Sequence, residues 1–164
     1  MSKSIENEIE NEEELELEEY GTDNKVFLQT HDKINVSLSG EIELLEDGYV
    51  EIRLVTTADM LADHLGLIHG GFIFSAADYA AMAAINEKNV VLVAADTQFL
   101  SPVKLHDDVI FKAKVRHKEG RKRNVHVDGF VFDIKVFEGE FKTVITERHV
   151  LKLKLNEDEE AQEL

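Results

Sequence analysis

The 164-residue chain has no cysteine, a single proline and no apolar run near the length of a membrane span. The missing cysteines exclude disulfide bonds and thiolate metal ligands. A membrane-spanning helix needs roughly 18 apolar residues in a row, so we expect none here and no membrane partner. The acidic N-terminus has neither the basic start nor the apolar core of a signal peptide. Together these absences predict a cytoplasmic protein.

The net charge of −16 is distributed unevenly along the chain. Residues 1–24 contain ten acids and one lysine, and residues 156–164 contain five acids and no base, whereas residues 25–155 contain 19 acids and 17 bases. We therefore predict one nearly neutral domain at 25–155 between two acidic tails, which composition favours as solvated segments. Apolar residues within the N-terminal tail leave open a second interpretation, an amphipathic helix that docks on a protein. Acidic ends repel phosphate backbones, so we expect no nucleic acid as a partner.

The first half of this domain carries two strand patterns and then one helix pattern. Residues 34–45 and 49–57 are rich in β-branched side chains, and the Asp47-Gly48 sequence between them is typical of a hairpin turn. Residues 72–86 are rich in alanine and contain no helix breaker, which predicts a helix. Because that helix is apolar on nearly every side, it must be buried on most of its faces.

Strand patterns return after the helix and continue to the end of the domain, at residues 90–101, 109–118, 124–137 and 140–155. Their alternation and the turn predicted at Glu138-Gly139 favour an antiparallel meander. We therefore predict an α+β fold in which one antiparallel sheet wraps around one long central helix. Such a sheet has open edges, and pairing them across a two-fold axis predicts a homodimer.

The segment LGLIHGGFIFSAADYAAMAAIN, residues 65–86, carries a resemblance to a known family. It resembles the core motif of acyl-coenzyme A thioesterases of the phenylacetate-degradation type, in the hot-dog superfamily. That motif is His-Gly-Gly with an aspartate nine residues after the histidine, matched here by His69, Gly70, Gly71 and Asp78. The resemblance implies a hot-dog fold, acyl-CoA as ligand and a site shared between two subunits.

A second resemblance overlaps the first. Residues 96–115 are similar to the thioesterase strand that carries an aromatic residue before Pro-Val. Residues 90–115 and 134–145 are also similar to the effector domain of the fatty-acid-synthesis repressors that sense malonyl-CoA. Those repressors bind their thioester without cleaving it. The segment before this domain is short and acidic, so a DNA-binding module is not expected. A non-catalytic acyl-CoA sensor therefore stays open beside the enzyme, and a dehydratase of the same superfamily fits less well.

The motif also has a chemical interpretation of its own. Gly71 and Asp78 are two helical turns apart, so they share one face with Ser75. The free N–H of Gly71 at the helix start predicts a donor for the oxyanion that forms on a thioester carbonyl. A lone carboxylate on an apolar helix is costly to bury, so Asp78 is predicted to act as general base or nucleophile. In the family these two groups come from opposite subunits.

Two more residues complete the predicted catalytic set. His69 is expected to orient the loop or the carbonyl. Asp63 stands where many members of the family have asparagine, six residues before the histidine. A carboxylate at that position is expected to repel Asp78 or raise its pKa, so hydrolysis and binding without hydrolysis both stay open.

The predicted substrate-binding residues fall into two groups. Three lie at the start of the helix: Gly70, Phe72 and Ser75. Four belong to a basic cluster at a strand turn: Arg116, Arg121, Lys122 and Arg123. Guanidinium groups suit the phosphates of coenzyme A. The alternative is that the cluster only keeps the tip of a hairpin soluble. The histidines outside the motif show no ligand spacing with one another, so no metal is expected, and no cofactor beyond coenzyme A itself.

Overall fold

The computed structural model describes residues 25–153, so the predicted acidic tails at 1–24 and 156–164 lie outside the described residues. The described elements, in chain order, are α1 (Val36–Ser39), β1 (Glu41–Glu46), β2 (Tyr49–Val55), a 3₁₀ turn (Ala58–Met60), α2 (Gly70–Ile85), β3 (Val90–Phe99), β4 (Asp108–Glu119), β5 (Lys122–Val131) and β6 (Ile134–Ile145). No helix among the described residues is both long enough and apolar enough to cross a membrane.

The six strands form one antiparallel sheet in the order β1-β2-β4-β5-β6-β3. This sheet wraps around α2, which is the predicted α+β hot-dog fold. The β1–β2 hairpin turns at Asp47-Gly48 as predicted, and Gly48 adopts a left-handed conformation with φ +78°. The predicted meander holds for β4 to β6. It is wrong for β3, which pairs with β6 instead of β4 and so lies at one edge of the sheet.

The central helix α2 is the helix that the alanine-rich segment predicts. It ends at Asn86, whose left-handed backbone (φ 52°) directs its N–H to the carbonyl of Met82. The small alanine side chains of α2 are buried against β4, β2 and β5. Larger residues fill the remaining space, and the ring of Phe74 lies 5.7 Å from that of Phe141. The core therefore lies between one helix and the inner face of the sheet.

The turn predicted at Glu138-Gly139 is wrong. The strand β6 runs through both residues, and the chain turns instead at Phe132-Asp133, where Phe132 has φ +54°. Glycine is found at this strand position because aromatic rings crowd its Cα. A Cβ built there would lie 2.9 Å from the ring of Phe141. Close packing rather than a turn therefore explains this glycine.

Two strand predictions at the ends of the domain are also wrong. Residues 36–39 form the helix α1 because the side chain of Asn35 accepts a hydrogen bond from the first turn at 3.0 Å, and β1 begins only at Glu41. The last strand ends at Ile145, and residues 150–153 are helical. A short apolar alternation such as that of residues 36–39 suits both a strand and a helical turn. The cap at Asn35 favours the helical turn.

Candidate functional site

The His-Gly-Gly motif lies at the start of α2, on a loop that backbone hydrogen bonds hold in place. The N–H of His69 donates to the carbonyl of Met60 at 2.9 Å, and the N–H of Ile68 donates to the carbonyl of Val103 at 2.9 Å. His69 is the N-cap residue and its side chain makes no capping hydrogen bond. Because the first N–H groups of a helix have no intrahelical acceptor, the N–H of Gly71 is available to a ligand.

The side chain of His69 lies over Gly71. A Cβ built on Gly71 would come within 2.7 Å of Nε2 of His69, and a Cβ built on Gly70 would lie 3.4 Å from the ring of Phe99. The imidazole also meets the ring of Phe72 edge-on at 6.0 Å. A side chain on Gly71 would therefore displace the His69 ring, whereas a Cβ on Gly70 would make an ordinary contact with Phe99.

Asp78 lies two turns further along α2. It is partly buried, and its Oδ1 atom is buried without a hydrogen-bond partner among the described residues. Burial raises the pKa of Asp78 from 3.8 to about 6. Asp78 is seven positions after Gly71 in the helix, which is roughly 10 Å along the helix axis. Within one chain these two groups are therefore too far apart to act on the same carbonyl group.

Ser75 and Asp63 make contacts that differ from their predicted roles. The Ser75 hydroxyl lies 3.1 Å from the hydroxyl of Ser39, a buried residue at the end of α1. The Asp63 carboxylate accepts hydrogen bonds from the N–H groups of Leu65, at 2.9 Å, and Leu67, at 3.2 Å. Asp63 thus closes its own loop. The pKa of Asp78 is raised, but its cause is burial and not the charge of Asp63.

The basic cluster lies at the opposite end of α2 from Gly71 within one chain. The carbonyl of Arg121 accepts from the N–H of Ile145, and the N–H of Thr146 donates to the carbonyl of Asn89, just after the helix ends. Several of its cations already have partners: Arg116 lies 3.9 Å from Glu140, Arg121 pairs with Glu147, and Arg123 donates to the carbonyls of Gly120 and Lys122. The fold of a single chain does not bring this cluster to the His-Gly-Gly motif.

A buried histidine that the sequence did not single out lies in a group of carboxylates. His126 is 8% exposed, and its Nε2 lies 2.9 Å from Oδ1 of Asp128 and 3.6 Å from Oε1 of Glu138. The expectation that no metal ligands converge was based on histidine spacing alone. The signal that could have found this group is a histidine two residues before an acid on β5, facing two acids on β6.

Comparison with known proteins identifies the family. The family model of the thioesterase superfamily matches residues 65–138. The acyl-coenzyme A thioesterase PaaI of Escherichia coli is 32% identical over 110 residues, which cover 66% of this chain and 73% of that protein. The chain belongs to the hot-dog thioesterase superfamily. The crystal structure of protein PH1136 from Pyrococcus horikoshii is 42% identical in sequence, with a TM-score of 0.76, and the match covers 77% of this chain and 97% of that one.

Other relatives of this hot-dog protein are longer and have different names. A methylthioribose-1-phosphate isomerase of Aquifex aeolicus is 52% identical over 117 residues, which are 71% of this chain and 26% of the isomerase. The transcription factor FapR of Thermoanaerobacter is 32% identical over 114 residues, which are 69% of this chain and 57% of that factor. The chain thus spans about a quarter of one relative and a little over half of the other.

Proposed function

We propose that this hot-dog protein hydrolyses acyl-CoA thioesters, with Asp78 as the group that activates water. The observation that carries the proposal is the environment of the Asp78 carboxylate. Asp78 lies on an otherwise apolar helix, and its Oδ1 has no hydrogen-bond partner among the described residues. Its pKa of about 6 lies near neutral pH, which suits a general base. A buried acid without a structural partner is a typical functional group.

The proposed reaction combines Asp78 with the helix start of a second subunit. The thioester carbonyl oxygen accepts from the Gly71 N–H, and His69 beside it orients the carbonyl. Asp78 removes a proton from water, whose oxygen bonds to the carbonyl carbon. The C–S bond then breaks, and the thiolate takes up the proton from Asp78 to leave coenzyme A and a free acid. Asp78 acting directly as nucleophile, with water cleaving the resulting anhydride, uses the same residues.

A homodimer is part of the proposal because of the edge strand β3. This ten-residue strand pairs with β6 on one side, and Val93 near its middle is 60% exposed. Long exposed edges favour pairing with another strand. If two β3 strands paired antiparallel, the start of each would lie beside the end of the other. The Gly71 end of one chain would then face the basic-cluster end of the other. Arg116, Arg121, Lys122 and Arg123 would then be placed to bind the phosphates of coenzyme A.

The second candidate function is an acyl-CoA sensor without catalysis. The observation that favours it is the 32% identity with FapR, named as a transcription factor. A sensor would use the same helix start to bind the thioester. It would not need Asp78 as a base.

Thiol release from acyl-CoAs of increasing chain length, by wild-type protein and Asp78→Asn, tests the proposal. We expect turnover by the wild type, at least about 100-fold slower turnover by the variant, and acyl-CoA binding retained in both. Thermal stabilisation by acyl-CoA without turnover by the wild type would favour the sensor. The absence of both turnover and stabilisation would contradict the acyl-CoA assignment itself.

A further inference from the structure

A second group of ionisable side chains lies on the outer face of the sheet, away from α2. Side chains alternate between faces along a strand, and the neighbours of His126 on β5, including Val127, are in the core. His126 and Asp128 therefore face outward. The β5–β6 register sets them opposite Glu140 and Glu138, respectively.

The donor atoms of this group converge. One oxygen of Asp128, one oxygen of Glu138 and one nitrogen of His126 lie within 4.8 Å of one another. Donor atoms bound to one tetrahedral ion are roughly 3.4 Å apart, given bonds of about 2.0–2.2 Å. Small side-chain movements would therefore bring all three to bonding distance of one cation. A cavity of about 250 Å³, lined also by Asp96 and Gln98, opens beside them.

The other nitrogen of His126 is already held. Its Nδ1 is hydrogen-bonded to the carboxylate of Glu140, so Nδ1 carries a proton. Its Nε2 faces the carboxylates of Asp128 and Glu138, and lies within hydrogen-bond distance of Oδ1 of Asp128. A carboxylate that orients a histidine from behind is the usual support of a metal-bound histidine. A metal ion at this position would bond to Nε2 in place of the hydrogen bond between Nε2 and Asp128.

One side chain supplies a cation at this position. The Nζ atom of Lys135 lies 2.8 Å from Oδ1 of Asp128 and 3.5 Å from Oε1 of Glu138. Its side chain is 35% exposed, at the start of β6, on a flexible stem that reaches solvent. The ammonium group is therefore a cation that a more strongly bound ion can displace.

We propose that His126, Asp128 and Glu138 form a site for a divalent transition-metal ion. One imidazole and two carboxylates suit Zn²⁺, Mn²⁺ or Fe²⁺ better than Mg²⁺ or Ca²⁺, which prefer oxygen ligands alone. Glu140 orients the imidazole, and Lys135 is the group that the ion displaces. The bound ion joins β5 to β6 on the face of the sheet opposite Asp78.

The test is titration of the full chain, first treated with EDTA and without an affinity tag, with Zn²⁺ in a calorimeter. We expect one Zn²⁺ per chain in the wild type. His126→Gln and Glu138→Gln should each abolish this stoichiometric binding, and Glu140→Gln should weaken it about 10- to 100-fold. Lys135→Met should tighten it about two- to fivefold, because the competing surface ion pair is lost. A second measurement uses Co²⁺ in place of Zn²⁺. Co²⁺ bound to the wild type should give visible absorption bands, and His126→Gln should lack them.

The control is His117→Gln, which removes an exposed histidine 3.8 Å from Glu119 on the neighbouring strand and should leave binding unchanged. Circular dichroism establishes that each variant is folded. If wild type and Lys135→Met both fail to bind Zn²⁺ at one per chain, the site does not exist. Binding that survives in folded His126→Gln or Glu138→Gln overturns the ligand assignment. Lys135→Met is expected to gain affinity for Zn²⁺. A damaged fold would lower that affinity, so it could not explain a gain.

Discussion

The imidazole of His69 lies directly against the backbone of Gly71. A Cβ on Gly71 would lie 2.7 Å from Nε2 and 3.0 Å from Cδ2 of that ring. The His69 side chain is exposed, so it can move aside without disturbing the core. This movement would take the His69 ring away from the Gly71 N–H, the proposed oxyanion donor.

We expect Gly71→Ala to lower kcat for acyl-CoA hydrolysis by about 100-fold while changing the unfolding temperature little, because the ring moves away from the carbonyl site. Thiol-release kinetics and thermal unfolding measure the two effects. The same substitution made in His69→Ala should cost much less, since no ring remains to be displaced. Equal losses in both backgrounds would show that the displaced ring is not the cause.

The raised pKa of Asp78 predicts the pH dependence of hydrolysis. Both proposed roles need the ionised carboxylate, so kcat/KM should rise about tenfold per pH unit below the pKa of about 6 and become constant above it. Rates measured from pH 4.5 to 8.5 with one acyl-CoA test this. A kcat/KM that is flat across pH 5 to 7 would exclude Asp78 as the base or nucleophile.

The same burial predicts that Asp78 destabilises the folded chain at neutral pH. Below the unfolded-state pKa of 3.8 the carboxyl is protonated in both states and costs nothing. As the pH rises through 3.8 towards 6, the unfolded chain loses its proton first, so the cost grows and is complete above about 6. The shift corresponds to at most about 3 kcal/mol.

We therefore expect Asp78→Asn to raise the free energy of unfolding at pH 8 and to raise it much less at pH 4. Urea unfolding at both pH values measures the difference. The control is Asp133→Asn, which removes an exposed carboxylate at the β5–β6 turn and should have little effect at either pH. A gain that is the same at pH 4 and pH 8 would contradict the assigned cause.

Asp63 provides a prediction about the loop before the motif. Its carboxylate accepts from the N–H groups of Leu65 and Leu67, and an asparagine oxygen can do the same. We expect Asp63→Ala to lower the unfolding free energy by about 1 kcal/mol and Asp63→Asn to lower it much less. Chemical unfolding of the three proteins decides this. If the two variants are equally destabilised, these hydrogen bonds do not hold the loop.

Gly139 provides a prediction about the core. A Cβ there would meet Phe141 at 2.9 Å, Thr97 at 3.0 Å and Phe137 at 3.2 Å. We expect Gly139→Ala to lower the free energy of unfolding by about 1–3 kcal/mol through overpacking. Urea unfolding measures it, with Lys142→Ala, an exposed position on the same strand, as the matched control. An unchanged midpoint would mean that the neighbouring rings adjust without cost.

The sequence predicted those elements whose signals are local and strong. The alanine-rich segment could only be a buried helix, and Asp47-Gly48 between two β-branched runs could only be a tight turn. The spacing of His69, Gly71 and Asp78 placed the motif residues on one helix from its first turn. These features depend on residues a few positions apart, so the chain specifies them before it folds.

Tertiary packing decided where local signals were ambiguous. Glu138-Gly139 has the composition of a turn, yet Phe137 and Phe141 fill the core only if β6 continues through it, and the turn falls at Phe132. The pairing of β3 with β6 likewise depends on contacts distant in sequence. The pairing of β5 with β6 brings His126 to Glu138 and Glu140.

The sequence by itself therefore determined the helix, most of the strands and the identity of the motif. Only the tertiary structure decided that Oδ1 of Asp78 is buried without a hydrogen-bond partner among residues 25–153, that Asp63 accepts hydrogen bonds from its own loop, and that the basic cluster lies at the far end of α2 from Gly71. The physical reason is that burial, hydrogen bonding and electrostatic contact depend on neighbours in space. Those neighbours come from strands whose order in the sheet differs from their order in the chain.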